Sequence, residues 1–220
     1  MFGLVMAFQD YSPAKGFFGS PFVGFKYFSQ LVTSENFYLM LRNTLVINGL
    51  SLILFFPLPI ILSIMLNEVK HDRFKKFNQS ILYLPHFMSW VIIASLTFFL
   101  LSVDLGIVNK ILVAMGQEPQ MFLMNPNCFW IIILCQNIWR ETGWGTILFL
   151  AALSGVDTQM YEAARIDGAT RFQQILYITI PSLAPTIVIL LILRIGNMFD
   201  VSLEQINLMQ NPLVMDVSEV

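Results

Sequence analysis

Charge is what this chain has least of. Only 12% of its 220 residues are Asp, Glu, Lys or Arg, about half the roughly 25% of a soluble domain. Hydrophobic residues make up 56%, and mean hydropathy is +0.70. A chain so poor in charge, with long uncharged apolar runs, belongs in a bilayer. Net charge is −2, so there is no basic surplus to attract a nucleic acid. Cysteine is nearly absent. Cys128 and Cys135 share one face of an apolar span, too far apart to bridge, and read as buried free thiols. No disulfide framework and no metal-ligand spacing is present, so neither a metal nor a cofactor is expected. There is no secretory signal: residues 1–8 are apolar but lack a basic start and a cleavage site. They are also too short to span, and read as the tail of a helix whose beginning is missing. Catalytic patterns are missing too: no H-E-x-x-H, no G-x-S-x-G, no paired carboxylates within a span, no G-x-x-x-x-G-K-[ST] phosphate loop. No catalytic residue is assigned.

What is present is a series of apolar spans. Residues 44–66 and 80–101 contain no Asp, Glu, Lys or Arg. Residues 128–153 are apolar except around Gln136–Glu141, and 183–203 except for Arg194 and Asp200. Backbone groups in lipid must be satisfied within the segment, and period-2 alternation is lacking, so these are helices rather than barrel strands. Pro57, Pro59 and Pro85 imply kinks. The connection 67–79 carries Lys70, Arg73, Lys75 and Lys76, which places it on the cytoplasmic side. Alternation then puts 102–127 outside and 154–182 inside. Ahead of the first span, 9–24 is turn-rich, and 25–41 has the spacing of a short interfacial helix.

The segment 154–182 is a polar island between two spans, and connections of that length are usually functional. Residues 159–167 read as a short helix. Ala163 and Ala164 favour helix with almost no bulk, which allows close approach to a partner surface. Glu162 is expected in the first turn, where its charge suits the helix dipole and can reach a partner arginine. Gly168 is expected to end the helix at positive φ. A second helix over 169–180 puts Phe172, Ile175, Leu176 and Thr179 on one face, and Pro181 is expected to stop it. Taken alone, this could be an ordinary amphipathic connector.

The pattern is more particular than that. Glu162-Ala163-Ala164, three residues, Gly168, nine residues, then Ile178-Thr179-Ile180-Pro181 resembles the cytoplasmic "EAA loop" of permease subunits of binding-protein-dependent ABC importers. The resemblance extends through Asn43-Thr44, Leu84-Pro85 and 139–153. Residues 193–197 and 204–212 are most similar to carbohydrate-type permeases, especially the polysaccharide and oligosaccharide branch. It covers nearly the whole chain, and Ile180 stands where the family more often has Leu.

The resemblance implies an all-α integral membrane protein of the bacterial inner membrane. Its core would be six kinked transmembrane helices with a cytoplasmic helix–turn–helix coupling loop. Two such subunits, identical or homologous, would pair above two ABC ATPase subunits, and an extracytoplasmic solute-binding protein would deliver a sugar or oligosaccharide. Glu162, Ala163, Ala164, Asp167 and Gly168 would sit in the ATPase groove. Against a six-helix core, residues 1–220 form one permease domain with four complete spans. The first helix reads as clipped and the last as absent, as in a fragment.

Charges inside a bilayer are expensive and usually face the bundle interior or water. Asn137, Arg140, Glu141, Trp144, Arg194, Asn197 and Asp200 are therefore candidates for the translocation pathway. Arg140, Glu141, Arg194 and Asp200 can equally be structural ion pairs. His86 has no carboxylate that the sequence places beside it. Two other readings stay open: the same architecture carrying another solute, and an ion-coupled secondary transporter, though no inverted repeat is visible.

Overall fold

A computed structural model describes residues 2–198 and 203–219. Most of those residues are helical, and the single β-bridge among them joins Gln9 to Phe22. Three short helices lead in. The helices α1 (Phe2–Met6), α2 (Gly16–Gly19) and α3 (Lys26–Thr33) precede Ser34, whose hydroxyl caps α4 (Glu35–Phe55) by accepting the Phe37 N–H at 3.3 Å. The interfacial helix expected over 25–41 therefore ends at Thr33, and the rest already belongs to the span. α4 continues into α5 (Pro57–Glu68), and together Asn36–Glu68 form a 33-residue run long enough to cross a bilayer. Pro57 starts α5 at a position that needs no N–H donor, so the run survives its two prolines.

The span expected over 80–101 is broken. α6 (Asp72–Tyr83) passes through a 3₁₀ turn at Leu84–Phe87 and meets α7 (Trp90–Leu101) at a bend of 100°. Pro85 lies in the turn, Met88 is extended, and the Ser89 side chain caps α7 by accepting the Ile92 N–H. The basic connection is accordingly mostly helix, since α6 begins at Asp72. On the far side of α7, α8 (Ile107–Ala114) is held by buried Asn109. Its amide donates to the Ser102 and Gln120 carbonyls at 3.0 Å and its Oδ1 accepts the Gln120 N–H at 2.8 Å.

At the centre stands α9 (Pro126–Ser154), the 29-residue axis of the bundle. Its length is sufficient to span, but its middle is polar, so it needs neighbours. Gly143 allows one of them to come close: a Cβ built there would lie 1.8 Å from the Leu82 carbonyl of α6. Next to it, Gly145 faces the Pro59 ring of α5. After the loop, a helical run of 26 residues, Arg171–Gly196, crosses beside α9. It comprises α11 (Arg171–Gln174), a π-helical turn at Ile175–Thr179 and α12 (Ile180–Gly196), and the loop also holds α10 (Thr158–Ile166). Two further helices, α13 (Leu203–Met209) and α14 (Met215–Ser218), close the chain over the other end.

Two apolar clusters hold the bundle. Near the end capped by α13, Ile47, Ala94, Phe129, Ile133, Ile206 and Met209 are buried together. Near the loop end, Phe149, Leu153 and Leu183 pack with Ile60, Ile64, Ile187 and Leu190. Between them lies a polar layer. Cys128 is half-buried and Cys135 exposed, both free, so the expectation of buried thiols fails at Cys135, which sits on the outward face of α9 while Ile133, Leu134 and Gln136 beside it are buried.

Candidate functional site

Two places concentrate polar groups. The first is a cavity of about 310 Å³ between the two apolar clusters, lined by side chains of α4, α7, α9, α12 and α13. Asn48 and Ser51 come from α4, Asn137, Arg140 and Glu141 from α9, Arg194 from α12 and Gln205 from α13.

Glu141 organises its floor. One carboxylate oxygen accepts from Arg140 Nη1 at 2.8 Å, and the other lies 3.0 Å from His86 Nδ1. The Arg140 guanidinium also lies over the Trp90 ring, 4.5 Å from its centroid, and donates to the Met88 carbonyl at 3.3 Å. The His86 ring stacks on Trp144 with centroids 4.5 Å apart. His86 thus has the carboxylate partner that sequence did not supply. The bend before α7 swings it toward α9.

The roof is an amide network. Asn137 donates to Gln205 Oε1 at 2.8 Å. Buried Gln205 donates to Gln136 Oε1 at 2.9 Å, and Gln136 donates to the Thr97 hydroxyl at 2.7 Å. Gln205 and Gln136 were not among the expected site residues; Gln136 interrupts the apolar span 128–153, and Gln205 lies in the 204–212 stretch similar to carbohydrate-type permeases. Arg194 donates to Ser51 Oγ at 2.8 Å, with its guanidinium 5.2 Å from the Phe55 ring centroid.

Of the residues named for a pathway, Asn137, Arg140, Glu141 and Arg194 meet in this cavity. Trp144 stands behind His86, outside the lining. Asn197 caps the end of α12 and is exposed. Asp200 lies outside the described residues.

The second place is the loop. α10 is capped by Asp157, whose side chain accepts the Gln159 N–H at 2.9 Å. Glu162 therefore sits in the second turn rather than the first, and Asp157 provides the negative charge at the helix start. At the other end Gly168 has φ of +79°. Its N–H donates to Arg165, and that of Ala169 donates to Ala164 at 2.8 Å, the paired bonds of a Schellman cap. Thr170 and Gln173 then form a capping box that starts α11, a T-x-x-Q signature readable in sequence.

The helix expected to stop at Pro181 does not stop. The π turn at Ile175–Thr179 lets the Ile180 N–H reach back to the Ile175 carbonyl, and Pro181 falls where a new α segment begins. The extra residue in that turn also rotates the expected apolar face: Thr179 is buried, whereas Phe172 is 73% exposed.

Glu162, Ala163, Asp167 and Gly168 are exposed, and Ala164 is half-buried. Ile166 between them is 87% exposed, an apolar side chain with nothing to cover it at the loop's tip. Two ties fix the loop to the bundle. Tyr161 and Thr179 share a hydroxyl hydrogen bond of 3.0 Å, and Arg171 pairs with Glu68 at the end of α5. A cleft of about 480 Å³ opens beside them, lined by Glu68, Lys70, Tyr161, Glu162, Arg165 and Arg171 among others.

Membrane-length helices around a polar centre, with an exposed helical loop at one end, define a transport permease subunit. The chain belongs to the family of binding-protein-dependent transport system inner membrane components, which it matches over residues 56–218. It is 49% identical over 220 residues to the polygalacturonan/rhamnogalacturonan transport system permease protein YteP of Bacillus subtilis, an alignment covering 100% of this chain and 68% of that one. Protein LplB of the same organism is 46% identical over 220 residues, covering 100% of this chain and 69% of LplB. Among solved structures, a bacterial ABC transporter involved in the import of the acidic polysaccharide alginate superposes with TM-score 0.92 at 41% identity. It covers 100% of this chain and 73% of that one. A second crystal structure shows a bacterial alginate ABC transporter in complex with alginate pentasaccharide-bound periplasmic protein, with TM-score 0.90. The carbohydrate-type branch expected from sequence is the one these relatives occupy.

Proposed function

We propose that this chain forms the translocation pathway of an ATP-driven importer of oligosaccharides or polysaccharide fragments, with the cavity around Asn137, Arg140, Glu141 and Arg194 as the place where solute crosses. The observation that carries the reading is the position of that cavity. It lies between two apolar clusters on one helical run that continues, without a stop, into the loop. Relatives named for polygalacturonan/rhamnogalacturonan transport and for alginate import support the solute class.

The energy comes from separate ABC ATPase subunits, because this chain carries no phosphate-binding loop of its own. They dock on the surface of Glu162, Ala163, Ala164, Asp167 and Gly168, with Ile166 as its apolar centre. A second permease subunit completes the pathway, and an extracytoplasmic binding protein delivers the sugar from the side of α13. When the ATPases close, the push on α10 passes through Tyr161–Thr179 into α12 and through Arg171–Glu68 into α5. About 23 residues of helix separate Arg171 from Arg194, or roughly 35 Å, the depth at which solute is held.

Two experiments decide this. Tagged full-length native protein, extracted in mild detergent, captures a P-loop ATPase and a second permease, identified by mass spectrometry. Glu162→Lys and Gly168→Pro still insert into the membrane but capture less ATPase; capture unchanged in both would remove the docking assignment. In proteoliposomes carrying the assembled transporter, uptake of labelled oligosaccharide requires ATP. Uptake driven by an ion gradient without ATP would refute the importer reading.

A further inference from the structure

We infer that the cavity is built for a solute that carries a carboxylate, a uronate-containing oligosaccharide, and that Arg194 is the residue that selects it. The inference rests on the reading of this cavity as the solute pathway and adds the charge of the solute.

The two guanidinium groups of the lining differ in kind. Arg140 is ion-paired: Glu141 takes one N–H, the Met88 carbonyl another, and Trp90 covers its face. Glu141 is itself shared, with His86 on its second oxygen. Arg140, Glu141 and His86 together make the ion-paired half of the cavity.

Arg194 is placed differently. Its one hydrogen-bond acceptor among the described residues is the neutral Ser51 hydroxyl, and no described carboxylate lies within ion-pair distance. A guanidinium has five N–H donors in a planar fork that matches a carboxylate with two parallel bonds. Ser51 uses one of them. The Phe55 ring beside the guanidinium restricts the plane of the fork. A cation inside a membrane span is costly; Glu141, already shared between Arg140 and His86, acts on Arg194 only from beyond ion-pair distance, so an arriving anion adds the contact charge that the wall lacks. The described lining side chains comprise two arginines and one carboxylate, so the wall carries one positive charge in excess.

The rest of the lining suits a sugar ring bearing that anion. Asn137 donates to the Ile133 carbonyl and to Gln205, and Asn48 donates one N–H to the Thr44 carbonyl; both Oδ1 atoms are without a partner among the described residues. They stand as acceptors for hydroxyl donors, in the same cavity as a donor fork for a carboxylate. At about 310 Å³ the space is at the small end of ligand sites, which run from about 300 to 1,000 Å³. It holds a sugar residue or two rather than a long chain.

The test uses the complete transporter, with its partner permease and ATPases, purified in detergent. Binding of labelled trigalacturonate and of the neutral galactotriose is measured by equilibrium dialysis, and uptake of both in proteoliposomes with the cognate binding protein. The uronate is expected to bind at least about tenfold more tightly than the neutral trisaccharide. Arg194→Gln erases that preference, and Arg194→Lys retains most of it. Subunit composition on gel filtration confirms that both variants assemble; if Arg194→Gln does not, Ser51→Val, which frees the fork without removing it, should keep the preference. Equal binding of the two sugars, or a preference unchanged in Arg194→Gln, overturns the role of charge while the carbohydrate reading stands. Failure to bind or take up either sugar, with ATP-dependent uptake of a peptide or phosphate instead, overturns both.

Discussion

Glu141 shows how one residue settles the character of a whole layer. It joins α9 to itself through Arg140 and to the bent segment through His86, and it is only partly exposed. Removing its charge strands two donors at once. Glu141→Gln should lower stability by about 2 kcal/mol, read as a fall in melting temperature of the detergent-solubilised complex. Arg140→Gln in the same background should recover part of the loss, because the stranded cation goes with it. An unchanged melting temperature would mean that the pair is solvated and structurally idle. Gly168 acts at the same scale by backbone alone. Its φ of +79° costs a residue with a Cβ about 1–2 kcal/mol. Gly168→Ala should therefore fray the end of α10 and reduce ATPase capture less than Gly168→Pro does.

At the scale of elements, two features set the geometry. The first is the contact of α9 with α6 at Gly143. The Leu82 carbonyl occupies the space of a Cβ, so Gly143→Ala must push the helices apart. The cost should reach or exceed the upper end of the about 1–3 kcal/mol typical of overpacking, seen as loss of folded permease in fluorescence-detected gel filtration. Wild-type yield in that variant would show that α6 is free to move. The second is the π turn at Ile175–Thr179, which lets one helical run pass from α11 into α12 past Pro181. A stop there was the natural expectation from a proline, and the inserted residue is what makes the difference.

For the whole molecule, transmission depends on how the loop is tied to the spans. The Arg171–Glu68 pair is well exposed, so it contributes little to stability, within the roughly 0.2–1 kcal/mol of surface pairs. Its effect belongs to coupling. Arg171→Glu should leave the melting temperature almost unchanged while lowering the stimulation of ATP hydrolysis by loaded binding protein. The exchange Glu68→Arg/Arg171→Glu should restore part of it. Equal stimulation in all three proteins would leave Tyr161–Thr179 as the sole tie that matters.

The class of protein, the unbroken apolar runs, the helical loop and the glycine that ends its first helix follow from the sequence itself. They depend on residues close together in the chain: uncharged runs the length of a bilayer, Glu162-Ala163-Ala164 ahead of Gly168, positive charge gathered in one short connection. Sequence also marked Asn137, Arg140, Glu141 and Arg194 as unusual, because a polar group in an apolar span is expensive wherever it points. Tertiary structure alone decided what these groups meet. His86 and Glu141 are 55 residues apart and come together only because the chain bends by 100° before α7. Arg194 and Ser51 are 143 apart, on two helices that share a wall with α9. Local spacing has no access to such pairings, since they follow from which helix faces close packing brings into contact. The same packing left Cys135 outside and carried Gln205 in.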